Sequence, residues 1–438
     1  MNSEIKAIRS PVNVSILLAA LFLLCFVSQA QAVPAFARQM GAPCSTCHYQ
    51  HFPLLNSFGR SFKASGFTMS GTSNIESGSF SLPANMNAAM FSNVRYQKSS
   101  AKKDPNTHTS NDGEFIMPGE TSLFIGGRVN KNVGALLEGD VGAAGLNGGG
   151  FLASLKIPFV FQASDSVSVL VDPFMSGLGP SYAYETLNTG AVGNHLINLV
   201  VPSAISAQQY VTPGVDSEGL GAAVVSNNFF VTVAKWSPNH SPIDDAGQSA
   251  SPDSNYLRVA VTPMIGSWDT ALGVQVYDGK SMVVGDQKYN TKAMAVDAQA
   301  QGTLGDMPFG VYLAYAEADA SKAGKEPNLF NDGSKKRTAI SLAAELGAFA
   351  GGRGTIQLAY RTAENGYTSY KTDNAATIGV TYLPSDNVQF GLYQTQFSGN
   401  ANSKAGILAN GQVIDATAAD LAQGGGSSLT SLNLAVGF

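Results

Sequence analysis

From residue 84 to the C-terminus the chain alternates apolar with small or polar residues. At its end Leu432, Leu434, Val436 and Phe438 alternate with Ser431, Asn433, Ala435 and Gly437. The same pattern puts Val388, Phe390 and Leu392 against Gln389, Gly391 and Tyr393. It recurs at Ile378, Val380 and Tyr382, and at Ile356, Leu358 and Tyr360. Successive side chains of a strand point to opposite faces, so each segment predicts a strand with one apolar face. A soluble β-sandwich gives the same alternation, and periodicity alone does not decide between a sandwich and a barrel.

The connections do decide. Sixteen strand-like segments begin near Met86, Thr121, Val133, Gly150, Ser166, Glu218, Phe229, Ser254, Asp269, Ala293, Pro308, Lys336, Arg353, Asp373, Asn387 and Ser427. Short links such as Asn130-Lys131-Asn132, Asn227-Asn228, Gly305-Asp306 and Pro384-Ser385-Asp386 alternate with long ones such as 98–120, 175–217 and 398–426. Short turns on one rim and long loops on the other are the pattern of outer-membrane barrels. The predicted fold is therefore all-β, a transmembrane barrel of about sixteen antiparallel strands over residues 84–438. An even strand count places both ends at the short-turn, periplasmic rim.

Composition agrees. Only 13% of residues are charged, against roughly 25% in soluble domains. The 15 Tyr, 23 Phe and 2 Trp exclude a disordered chain. A mean hydropathy of +0.03 excludes a bundle of membrane helices. Net charge is −5 and no basic patch appears, so nucleic acid is not an expected partner. Arg258, Asp297, Glu345 and Arg361 are predicted to face the lumen, lining a wet channel or pairing across it. Asp104, Asp112, Glu114, Asp244 and Asp245 form an acidic outer-loop set, either solvated charge or an attractor of cations. No Ser-His-Asp set, metal-binding His pair or phosphate loop stands out.

The N-terminus reads as an export signal over residues 1–32. Lys6 and Arg9 precede the apolar run Val14–Val27, and Ala30-Gln31-Ala32 supplies the small residues of a cleavage site. A retained anchor is the rival reading. Lipidation at Cys25 is disfavoured by the bulky Leu24 before it. Export removes Cys25 and leaves two cysteines, Cys44 and Cys47.

These two lie in Cys44-Ser45-Thr46-Cys47-His48, the C-x-x-C-H spacing of c-type haem attachment. Thiols one helical turn apart can hold the two vinyl positions of one porphyrin edge, and His48 can reach the iron. A redox dithiol would expect a thioredoxin-like context, and zinc would need a fourth ligand besides His48 and His51. One covalent haem c on Cys44, Cys47 and His48 is the prediction. Residues 33–83 then form a small helical monohaem module, with an amphipathic helix over 52–63 ended by Gly66. Leu54, Leu55, Phe58 and Phe62 share one face of it, and Arg60 and Lys63 the other. For the second axial position Met69, Met40, His51, His108, His195 and His240 stay open, with Met69 preferred.

The order of signal peptide, single C-x-x-C-H and barrel resembles the outer-membrane cytochrome–porin fusions of iron-oxidising bacteria. The resemblance is carried by Pro34-Ala35-Phe36-Ala37-Arg38-Gln39, Gly41, the Cys44–His48 motif, Phe52-Pro53, Phe58-Gly59-Arg60, Phe62-Lys63 and Gly66. This sequence departs by an extra residue between His48 and Phe52, by Asn56-Ser57 for Thr-Pro, and by Phe67 for Tyr. The resemblance implies an electron-transfer cytochrome of the iron(II) oxidase type, with its haem at the periplasmic mouth. It implies extracellular ferrous iron or a similar donor, periplasmic c-type cytochromes and outer-membrane lipid as partners. A solute-diffusion porin whose haem module is a plug or sensor is the alternative, and a haem peroxidase a third reading.

Overall fold

In the computed structural model the described residues are 35–438 without 79, 85–86, 101–112, 142–151, 190–205, 213–215, 239–250, 283–287, 323–325 and 402–426. The predicted export signal (1–32), His108, His195, His240, Asp104, Asp112, Asp244, Asp245 and the side chain of Glu114 lie outside the described residues.

Strands β1 (Asn74–Ser77) and β2 (Phe80–Pro83) pair as a separate hairpin. The wall begins with β3 (Ala88–Ser99), β4 (Glu114–Arg128), β5 (Gly134–Asp140), β6 (Leu152–Lys156), β7 (Phe159–Ser164) and β8 (Val167–Ser176). It continues through β9 (Ser217–Ser226), β10 (Phe229–Ser237), β11 (Ser254–Val261), β12 (Met264–Ile265), β13 (Trp268–Met282) and β14 (Lys288–Asn290). The last third comprises β15 (Ala293–Leu304), β16 (Met307–Ala318), β17 (Arg337–Phe349), β18 (Gly354–Asn365), β19 (Asn374–Ser385), β20 (Val388–Ser398) and β21 (Ser428–Gly437). Every wall pairing is antiparallel, and β21 pairs with β3 to close the barrel. Strands β6 and β7 make one broken strand, and β12 and β14 extend their neighbours, so the wall has sixteen strands. Closure leaves no free sheet edge.

The alternation read from the sequence sorts into lumen and exterior. Along β11, Tyr256, Arg258 and Ala260 are buried while Leu257, Val259 and Val261 are exposed. Leu220, Val233, Leu272, Leu313, Ile340, Leu358, Ile378 and Leu392 continue this apolar exterior around the wall. So broad an exposed apolar belt is what a barrel presents to hydrocarbon. Gly serves the lumen in places. A Cβ at Gly273 would stand 2.4 Å from Arg258 Nη1, so its absence makes room for the guanidinium.

Three details depart from the sequence reading. Strand β4 starts at Glu114, ahead of the expected Thr121, because Phe115 and Met117 keep the outward alternation. Pro118, which cannot donate to the ladder, falls at the register shift between Asn93 and Arg95. Pro158 splits β6 from β7 for the same reason. The helix expected over 52–63 is Ser57–Ala64, because the Asn56 side chain caps it by accepting from Gly59 N. Gly66, at φ +60°, follows its end as expected.

The lumen is filled. Helices α1 (Ala35–Met40), α2 (Ser57–Ala64) and α3 (Ala207–Val211), with segment 180–189, all contribute residues buried inside the wall. Leu54, Ala207 and Val211 have no exposed surface. Residues Val33–Phe438 form one compact unit, so the N-terminal segment is packed with the barrel.

Candidate cofactor site

Side-chain bonds hold the N-terminal segment inside the short-turn end of the barrel. Arg60 pairs with Asp269 (2.6 Å), beside the Gly266-Ser267 turn. The Tyr49 hydroxyl sits between the carbonyls of Gly302 (2.7 Å) and Phe309 (2.9 Å), flanking the Gly305-Asp306 turn. Phe52 N donates to Gln389 Oε1 (3.2 Å), and Ser45 Oγ to Asp386 (3.4 Å). Gln39, fully buried, donates to the carbonyls of Phe67 (2.7 Å) and Met69 (2.5 Å) and accepts from Arg128 N (2.9 Å). Arg60 and Lys63 were expected on the helix face opposite the apolar one. Arg60 instead reaches Asp269 on the wall and Lys63 lines the cavity, while Ser57 and Ser61 take the exposed side of the helix.

Cys44, Cys47 and His48 come together on one wall of a cavity of about 240 Å³. A short 3-10 turn at Cys44–Thr46 sets the spacing, with Cys47 N and His48 N both donating to Cys44 O (3.1 and 2.9 Å). Both thiols are free. Burial and the nearby Asp386 carboxylate push the Cys44 thiol up to about 11, and burial raises Cys47 as well. Redox-active cysteines commonly have depressed pKa values, and both thiols here are shifted the other way. Among the described residues no group of three or more His, Cys, Asp or Glu is placed to hold a metal ion.

His48 is prepared as a ligand. Its Nδ1 lies 3.2 Å from the Leu54 carbonyl, which can only accept, so Nδ1 carries the proton. Nε2 is then the lone-pair nitrogen, and burial lowers the ring's pKa, disfavouring the charged form. A ligating imidazole is commonly fixed by such a bond from its other nitrogen. Phe36, Phe62, Phe67 and Leu55 make the cavity apolar, with Phe36 stacked on Phe67 at 4.7 Å. Helix α2 approaches the motif closely at Gly59, where a Cβ would stand 2.2 Å from the Cys47 carbonyl oxygen. Two thiols and an oriented imidazole in an apolar lining are the donor set that a covalently held haem c uses.

Of the candidate second ligands, Met40 lines the cavity and Met69 is not among the residues lining it. His51 is engaged elsewhere. Its Nε2 lies 2.7 Å from Glu345 Oε2 and 2.7 Å from Gln357, and its Nδ1 donates to the Phe52 carbonyl (3.1 Å). Burial opposes charge on this ring, but the Glu345 carboxylate outweighs it and holds the pKa above its ordinary value.

The four predicted lumen residues are all buried and all paired. Arg258 meets Asp297 (2.5 Å) and Glu185 (2.9 Å), Glu345 meets His51, and Arg361 meets Asp373 (3.0 Å). Sequence reasoning missed the barrel's own share of the cavity, Leu136, Lys156 and Tyr182. The inward phase of Lys156 on its strand was the available signal, but nothing local says which inward residues meet the plug.

The fold and site define a closed sixteen-stranded barrel with a cysteine–histidine motif plugged into its short-turn end. No family model matches the chain, and no curated protein matches it. Among solved structures it is similar in barrel architecture to outer-membrane expressed OmpT of Vibrio cholerae. That match has 11% identity and a TM-score of 0.47, covering 84% of this chain and 100% of that one. It is also similar to an anion-selective porin from Comamonas acidovorans (15%, 0.47, 80% and 98%) and to Pseudomonas putida OprB (11%, 0.47, 80% and 94%).

Proposed function

We propose that this chain is an outer-membrane electron-transfer protein that carries one haem c on Cys44, Cys47 and His48 inside its barrel. It takes electrons from extracellular ferrous iron or a similar donor and hands them to periplasmic c-type cytochromes. The carrying observation is the His48 ring, locked by the Leu54 carbonyl with its unprotonated nitrogen available beside two free thiols. The apolar exterior supports placement in the outer membrane, and the short turns beside the plug support a periplasmic position for the motif. Bound there, haem c supplies a one-electron iron couple whose potential is tuned by ligands, hydrogen bonds and burial. The chain's part is to hold it. Arg60, Tyr49 and His51 fix the segment to the wall, while Phe36, Phe62 and Phe67 exclude water. A hydrocarbon core is roughly 30 Å thick, too wide for one direct electron hop, and a site within the lumen shortens that gap.

A solute-diffusion porin with the N-terminal segment as plug is the second reading. The width of the barrel favours it, since sixteen-stranded porins leave an aqueous channel, and the solved structures named above lean the same way. Against it stands the packing of 35–72, 180–189 and 206–212 inside the wall. A haem-dependent absorption spectrum of the purified, denatured chain, read beside single-channel conductance in planar bilayers, separates the two. Covalent haem with little conductance supports the electron-transfer reading. Open conductance without covalent haem overturns it.

A further inference from the structure

Lys63 is the charged side chain of the cavity that has no hydrogen-bond or ion-pair partner among the described residues. The neighbouring cation, Lys156, is fully engaged. It pairs with Asp172 (3.2 Å) and donates to the carbonyls of Tyr182 (2.7 Å) and Ala183 (3.1 Å). Lys63 is half-buried on the cavity lining, and burial together with Lys156 pushes its pKa down to about 7, against the opposing pull of Glu185 and Asp172. An ammonium that lines an apolar cavity without a hydrogen-bonded partner points to an anion that completes the site.

The position of Lys63 says which anion. Helix α2 touches Cys47 at Gly59, and Lys63 lies four residues on, on the same face and about 6 Å further along the axis. The cavity therefore has thiols toward one end and a spare cation toward the other. A c-type porphyrin is polarised in the same way, with thioethers on one edge and two propionate carboxylates on the opposite edge. We propose that Lys63 binds a propionate carboxylate of the porphyrin attached to Cys44 and Cys47. This rests on the haem c reading.

The test uses the full-length protein in detergent or bilayer, as wild type, Lys63→Met and Lys63→Arg. Covalent haem content is measured first, then the midpoint potential by spectroelectrochemical titration. Lys63→Met should keep wild-type haem content. Losing a cation beside the propionate favours the ferric state, so the ferric-to-ferrous ratio at a fixed potential should rise about tenfold, a fall of about 59 mV for a one-electron couple. Lys63→Arg should restore the wild-type potential while moving the resonance Raman propionate-bending band, which reports hydrogen bonding to that group. A haem-loaded Lys63→Met protein with an unchanged potential overturns the proposal. If that variant does not fold, an unmoved Raman band in Lys63→Arg overturns it instead. Absence of covalent haem from the wild type overturns the haem reading itself, a different result from either.

Discussion

The wall and the plug of this molecule are held by different means. The wall is a closed backbone ladder from β3 to β21, and its side chains need only alternate. Leu358, Ile378 and Leu392 are interchangeable apolar groups facing outward, about half exposed at 56%, 53% and 52%. The plug has little secondary structure, three short elements between Ala35 and Ala64. It keeps its place through single bonds made by particular residues: Gln39, Tyr49, His51, Phe52 and Arg60. Substitution should therefore be tolerated in the wall by class and in the plug hardly at all.

The sharpest break between the two is at the motif. Cys47→Ala should leave a barrel that folds and migrates normally while covalent haem is largely or wholly lost, as read by haem staining. Normal staining would remove the attachment assignment. Next comes docking. His51→Ala leaves the buried Glu345 carboxylate with the Tyr312 hydroxyl but without its ion-pair partner, and breaking a buried pair costs about 3–5 kcal/mol. Proteolytic release of the N-terminal segment should rise steeply, with the wall resistant.

The same contact predicts a pH dependence. Because His51 has a raised pKa in the folded state, its stabilisation is complete below its ordinary value of about 6.5 and is lost as pH rises through the raised value. Wild-type release should climb through that range, and His51→Ala should show no such step. Leu358→Arg inverts the comparison. At the bilayer midplane it should cost about 2–4 kcal/mol of barrel stability, read by unfolding in lipid, with haem attachment unaffected.

The smallest effects concern the second axial position. Met40→Ala should lower the haem potential, since a thioether ligand raises it. Met69→Ala should change it little, because Met69 is not among the cavity-lining residues. A reversed pair of results would place Met69 at the iron.

Much of this comparison was legible in the sequence, for unequal reasons. The wall was readable because a period of two and alternating linker lengths are local properties, so all sixteen strands were found. Errors fell where proline interrupts the ladder, at Pro118 and Pro158. Cys44, Cys47 and His48 were readable as one group because their spacing is local, and the structure puts all three on one cavity. Lys63, Arg60 and Lys156 were not. The helix pattern puts Arg60 and Lys63 opposite the apolar face, and only the folded barrel brings them to Asp269 and to the cavity. Tyr182 is 146 residues from Phe36 in the chain, and no local pattern joins them.

The most direct measurement reconstitutes the full-length protein in liposomes and adds ferrous iron as a membrane-impermeant chelate at the long-loop face. Appearance of the reduced haem spectrum in wild type, absent in Cys47→Ala, is the predicted result. A wild-type protein that carries haem yet stays oxidised, while small solutes pass freely through the barrel, would contradict the account.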